Sequence, residues 1–336
     1  MIDLYDVTII GGGPAGLYTA FYSGMRALKT KLIEARNDLG GVVTHFYPEK
    51  TIYDLGGIPG IKGEALIDQL QTQAETFQPK IIKNQAIADM ERRADGTFKL
   101  ISTNGDLHYT RRIILAVGSG TFEVNRLQLE EAREYEGTSL FYAVRRIQQF
   151  SGKNVVISGG GNGALDWAAE LAPLCKRVTV VYRGERFTHA LEHNLERMNQ
   201  YGVQVNYASE VTGLSGENGQ LRNVTVRDAG DHLQQIKADA LIVNHGFQCG
   251  LGALEQWGMA LETETNGILV DQRMETSIKG IFAIGNAASY PQKLYLIAAG
   301  FVEGPIAVNS VKHDLDPDAP SQAMVSTHHH FFTEMI

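Results

Sequence analysis

Apolar runs in this chain stop abruptly at clusters of glycine, and the places where they stop predict its architecture. Residues 6–20 read as a buried strand, a glycine turn and the start of a helix, because a short unbroken apolar run suits a strand covered on both faces. Gly11, Gly13 and Gly16 fit G-x-G-x-x-G, with Pro14 and Ala15 between the second and third glycines. The first glycine makes the tight turn, the second lets the backbone approach a pyrophosphate, and the third lets helix pack on strand. The anion then sits at the helix N-terminus, where free N–H groups and the helix dipole favour it. Residues 30–34 form a second apolar strand closing on Glu34, about 20 residues past the turn, where a carboxylate meets an adenosine ribose.

The pattern returns one domain length later. Residues 154–168 repeat strand, turn and helix, with Gly159, Gly161 and Ala164 in the three key places and Asn162 and Gly163 between them. The next strand ends on Arg183 instead of an acid, with Arg186 following. Cations there suit a 2′-phosphate that a carboxylate would repel, so the second site favours NADPH over NADH. Two dinucleotide sites in one chain imply a tightly held flavin at the first and a visiting nicotinamide at the second, with hydride passing between them. Residues 267–271 and 276–286 predict strands and a turn ending in Gly285 and Asn286, and a helix follows from Leu296. Two-dinucleotide flavoenzymes use such a segment to bring the chain back to FAD. The expected fold is α/β with two Rossmann-like dinucleotide-binding domains. The FAD-binding domain is discontinuous, over 1–120 and 280–336, and an NADPH-binding domain over 121–279 is inserted between its halves.

Composition narrows the function further. A length of 336 residues suits two domains with full cores. A net charge of −8 excludes a nucleic-acid binder, because phosphate backbones want basic stripes. No apolar stretch reaches the ~18 residues of a membrane span. The apolar strand begins within a few residues of Met1, leaving no room for a signal peptide, so a cytoplasmic protein is expected. Cys175 and Cys249 are the only cysteines and lie far apart, which excludes a CxxC redox pair, a disulfide framework and a zinc cluster. No metal site is expected, since adjacent histidines such as His328 to His330 converge poorly.

Beyond both glycine motifs, Leu39-Gly-Gly, the Tyr47-Pro-Glu-Lys stretch and Ile242-Val-Asn-His-Gly-Phe247 extend a resemblance over nearly the whole chain. It resembles the thioredoxin-reductase-like ferredoxin/flavodoxin–NADP+ reductases. The resemblance implies thioredoxin-reductase-like architecture and a homodimer, with FAD contacts at Glu34, Gly41, Val42, Tyr47, Asp54, Ile87, Gly118, Phe122, Gly285, Asn286 and Thr327. Tyr47 is expected to stack on the isoalloxazine, and the tail from Val325 to Phe332 to cover its other side. Three positions depart from the family pattern. Asn286 replaces an acid, Gly184 replaces the second arginine of the 2′-phosphate clamp, and the tail histidines are shifted. Bacillithiol-disulfide reductases are also similar but carry a cysteine where this chain has Ala15.

No side chain is expected as a catalytic acid or base, because the flavin does the chemistry. The leading expectation is an NADPH-dependent reductase that passes single electrons to ferredoxin or flavodoxin. Their acidity calls for a basic docking face, with Arg145, Arg146, Lys176 and Arg177 as candidates. An NAD(P)H oxidase or diaphorase of the same fold is the first alternative. A flavin-binding redox sensor with little turnover is the second.

Overall fold

The computed structural model describes residues 3–188, 190–250, 257, 260–264, 267–320 and 324–333, without the side chains of 121–123, 248 and 249. The chain divides into two compact units, Met1–Thr121 with Cys249–Ile336 and Phe122–Gln248.

In the first unit the sheet runs Lys80–Ile82, Thr30–Ile33, Leu4–Ile10, Leu107–Leu115, Phe98–Ser102, Ile87–Arg92. The first four strands are parallel, and the last two join antiparallel. Leu107–Leu115 changes partner midway: its first half pairs with Phe98–Ser102, and Ile113 to Leu115 pair in parallel with Ile281–Ala283. Alternate residues of one strand enter different cores. Val7 and Ile9 face the helices, while Ile10 packs with Ile33, Ile113 and Leu115 on the other side. Burial on both faces is why apolar residues stand at consecutive positions in the central strands, as at Ile9 and Ile10 and from Ile113 to Leu115.

Helix Pro14–Met25 follows Leu4–Ile10, with Gly13 as its extended N-cap and a proline at its start, where the missing N–H costs nothing. Helix Ile297–Leu315 lies against it at small residues. A Cβ on Gly300 would come 2.8 Å from the Ala15 Cβ, and one on Gly304 would collide with the Thr19 hydroxyl. The expected return at residue 280 starts earlier, since residues 249–279 fall with the first unit. The physical reason is pairing and burial: Gly267–Leu269 pairs with Ala288–Ser289, and Ile268 and Trp257 are buried in the first unit's core.

The second unit has a parallel sheet in the order Leu140–Phe141, Ala240–Val243, Asn154–Ser158, Arg177–Val181, Gln204–Asn206. Helix Asn162–Leu171 packs on it through Ala164, Leu165 and Ala168, all fully buried. An antiparallel meander, Ser209–Glu217, Gln220–Asp228 and Leu233–Lys237, closes a separate apolar cluster. Cys175 is half-buried; its thiol donates to the Phe150 carbonyl at 3.3 Å, and burial pushes its pKa up to about 11. A thiol that rarely ionises is a packing residue, not a redox centre.

The described tail is a short turn, Ser326–His328, and a short helix, His330–Thr333. Its rings gather on Phe77: His329, Phe331 and Phe332 lie 5.4, 4.9 and 5.9 Å away between centroids. Phe332 also meets Phe21, and the Tyr22 hydroxyl donates to the Met324 carbonyl at 3.2 Å. The tail is thereby anchored along the helix that opens at the first glycine turn. Each aromatic pair is worth about 0.5–1.5 kcal/mol beyond its area. Phe77→Ala is therefore expected to speed carboxypeptidase release of the last residues while leaving far-ultraviolet circular dichroism unchanged; equal release rates in mutant and wild type would show that the anchor lies elsewhere.

Candidate functional site: two glycine turns

The first turn is shaped by what cannot stand there. A Cβ at Gly11, whose φ is +110°, would collide with the Ala116 carbonyl, and one at Gly16 with the Gly11 carbonyl. At Gly13 a Cβ would meet nothing within 4 Å. That open flank, at the mouth of a helix N-terminus, has the room and the N–H donors that a pyrophosphate needs. Gly41 lies against it, where a Cβ would stand 3.3 Å from the Gly13 Cα, so the short helix Gly41–Phe46 also begins at this turn. Val42 is half-buried in that helix.

Glu34 does more than await a ribose. It is buried, one carboxylate oxygen accepts the Gly12 N–H at 2.7 Å, and the other accepts the Arg36 N–H at 2.8 Å. The acid thus ties the end of its strand to the middle glycine. Each oxygen keeps a further lone pair for a hydroxyl donor.

The C-terminal segment reaches the same place. Gly285 has φ +63°, and a Cβ there would lie 3.2 Å from the Ala15 Cβ. Asn286, next to it, is exposed. A buried network that sequence reasoning missed sets this turn. The Glu303 carboxylate accepts the Gly285 N–H at 2.7 Å and the Tyr290 hydroxyl at 2.7 Å, and pairs with the Lys293 ammonium. Lys293 and Glu303 side chains are each 3% exposed, so the pair is fully desolvated. Burial first, and then the Glu303 hydrogen bond, push the Tyr290 phenol up to about 12. The only sequence signal was an acid amid the apolar residues of the helix Ile297–Leu315.

The remaining first-unit candidates are mixed. Tyr47 is half-buried, and burial followed by the charge of Asp54 raises its phenol, which puts the exposed Asp54 near Tyr47. Gly118 has φ +64° with open space beside it. Ile87 is buried among core residues, leaving only its backbone to face a ligand. The Phe122 side chain lies outside the described residues, and Thr327 is exposed on the tail turn.

The second turn repeats the geometry with different chemistry. Gly159 has φ +144°, and a Cβ there would collide with the Asn244 carbonyl, while at Gly161 it would meet nothing within 4 Å. Gly161 is the extended N-cap of Asn162–Leu171; Asn162 and Gly163 are exposed on its first turn, and Ala164 is buried where the first site has its third glycine. Among the described residues no acid ties this turn. Instead the Tyr182 ring fills the space over Gly160 and stacks on Phe187 at 5.4 Å. Arg183 and Arg186 are exposed just beyond the strand end. Among the described residues there is no cluster able to hold a metal ion and no helix long and apolar enough to cross a membrane.

Breaking a buried ion pair strands the remaining charge, at about 3–5 kcal/mol. Lys293→Met should therefore lower the urea midpoint of unfolding at neutral pH, and Lys293→Met with Glu303→Gln should recover part of it. A single mutant as stable as wild type would mean that the pair does not hold the turn.

Residues 5–304 match the pyridine nucleotide-disulphide oxidoreductase family. The chain is 50% identical over 328 residues to ferredoxin–NADP reductase 1 of Bacillus velezensis, covering 97% of each. It is 47% identical over 331 residues to ferredoxin–NADP reductase 1 of Listeria monocytogenes, covering 98% of each. Among solved structures, the thioredoxin reductase of T. acidophilum shares the fold with a TM-score of 0.75, 22% identity and coverage of 93% of this chain and 99% of that one. With two glycine turns, each following a parallel strand of its own sheet, and a match over most of its length, the chain belongs to the pyridine nucleotide-disulphide oxidoreductase family.

Proposed function

We propose that this chain is an FAD-dependent ferredoxin–NADP+ reductase, holding FAD at the first glycine turn and NADPH at the second and working without a redox disulfide. The observation that carries the proposal is the pair of open glycine flanks, Gly13 and Gly161, one in each compact unit. Near-half identity over the full length to proteins named for this activity supports the same conclusion. FAD, when bound, supplies the electron chemistry, accepting a hydride and releasing electrons singly. One NADPH thus reduces two one-electron carriers and leaves NADP+ and a proton.

The chain's own residues bind and orient. The N-terminus of Pro14–Met25 offers N–H groups to the FAD pyrophosphate, and Glu34, already fixed by Gly12, accepts the adenosine ribose hydroxyl. Asn286 offers an amide oxygen to the ribityl chain on a turn held by Glu303. Arg183 and Arg186 meet the 2′-phosphate of NADPH. Tyr47 flanks the flavin ring, and the tail from Val325 to Phe332 shields it from solvent. Ferredoxin is the expected carrier and flavodoxin a second acceptor, docking on exposed Arg145, Arg146, Lys176 and Arg177. The working assembly is a homodimer in the cytoplasm.

The test follows flavin bleaching by NADPH and then reoxidation by purified ferredoxin or by air. Reoxidation much faster with ferredoxin is expected, whereas equal rates would make the protein an oxidase. In the same assay Arg183→Ala is expected to cut the NADPH/NADH ratio of kcat/KM about tenfold, the worth of one charge-assisted hydrogen bond. An unmoved ratio would take Arg183 out of the site.

A further inference from the structure

His245 stands against the second glycine turn, and its ring is only half committed. Its Nε2 is hydrogen-bonded to the Ser158 hydroxyl at 2.8 Å, and Ser158 is the last residue of the strand that enters the turn. The backbone holds the segment in register. Asn244 donates its N–H to the Ser158 carbonyl at 2.8 Å, and Asn125 donates a side-chain N–H to the His245 carbonyl at 3.1 Å. The Asn244 carbonyl lies where a Cβ on Gly159 would collide, and its side-chain amide would stand 3.4 Å from a Cβ on Gly163. Residues 244 and 245 are thus laid along the mouth of the turn.

The other ring nitrogen, Nδ1, has no hydrogen-bond partner among the described residues, and the residue, though partly covered by its neighbours, stays open to solvent. Loss of hydration to the surrounding chain pushes the imidazole below its ordinary pKa, and the positive charge of Arg183 acts in the same direction. Arg183 is the one charged group that bears on it among the described residues. In the free protein the ring is therefore neutral near pH 7. A ring pinned at one nitrogen, offering the other to open space beside a phosphate-binding turn, is arranged to meet an anion that arrives there.

We propose that His245 is a phosphate-contacting residue of the second dinucleotide site, taking up a proton when the pyrophosphate of the nicotinamide dinucleotide binds and donating Nδ1–H to it, with Ser158 fixing the ring. The inference rests on the assignment of Gly159 to Ala164 as the NADPH site. The sign follows from linkage. An anion bound beside the ring raises its pKa, so binding takes up a proton between the free and the bound value, and affinity falls as pH rises through that window. The pyrophosphate is common to NADPH and NADH and does not titrate near neutrality, whereas the 2′-phosphate of NADPH does, near pH 6. The contribution of His245 is therefore the same for both nucleotides once wild type and variant are compared.

The experiment measures the Kd of NADPH and of NADH for the oxidised holoenzyme, by titration calorimetry between pH 5.5 and 8.5, in wild type, His245→Asn, His245→Arg and Ser158→Ala. His245→Asn is expected to weaken both nucleotides about tenfold at pH 6 and about twofold or less at pH 8.5, the acid value being that of one charge-assisted hydrogen bond. His245→Arg should bind well with the His-dependent slope gone. Ser158→Ala should shift the window while flavin content and Tm stay those of wild type. Parallel wild-type and His245→Asn curves would overturn the proposal, as would a pH-dependent loss confined to NADPH, which would move the contact to the 2′-phosphate. A wild type that binds neither nucleotide would instead remove the assignment of the second site.

Discussion

Everything in this protein hangs on how closely a helix can approach the strand before it. At Gly11, Gly16 and Gly159 the neighbouring backbone already occupies the place of a side chain, so any larger residue would push helix and sheet apart. That closeness delivers the helix N-terminus to the edge of the sheet with its N–H groups unspent, the requirement for holding a pyrophosphate. At Gly13 and Gly161 the same lack of a side chain leaves open space instead. One residue type serves opposite ends, contact at some positions and vacancy at others, and only the local packing tells which.

Upon that shared geometry the two strand ends set opposite chemistry. In the first unit Glu34 is buried, held by two backbone N–H groups, and puts negative charge at the strand end. In the second the Tyr182 ring takes over the packing and the exposed Arg183 puts positive charge just beyond the strand end. A carboxylate repels a 2′-phosphate and a guanidinium attracts one, so the two strand ends differ in the dinucleotide they suit. With no CxxC pair in the chain, there is no dithiol to take up the electrons. The outlet is the cofactor itself.

Much of this was legible in the sequence because it depends on neighbours along the chain. Strand, turn and helix at 4–25 and 154–171 follow from short-range pattern, and the acid or arginine at the next strand end follows from spacing. What escaped depends on residues brought together from afar. Glu303 read as one polar position in an apolar helix, and only the fold shows it gripping Gly285 and paired with Lys293. Trp257 and Ile268 read as part of the inserted domain, yet burial places them in the first unit's core. Tyr182 carried no signal in the sequence, and its ring covers Gly160 in the second turn. The aromatic residues of the tail are anchored on Phe77 and Phe21, contacts that no periodicity encodes.

We propose that the first turn, with Glu34 fixed against Gly12, is built to hold FAD. The most direct measurement is the visible spectrum of the purified protein together with FAD released per chain on denaturation, before and after reconstitution of the apoprotein with FAD. One FAD per chain is expected, with the absorbance of a protein-bound flavin. A colourless protein that takes up no FAD when reconstituted would contradict the account.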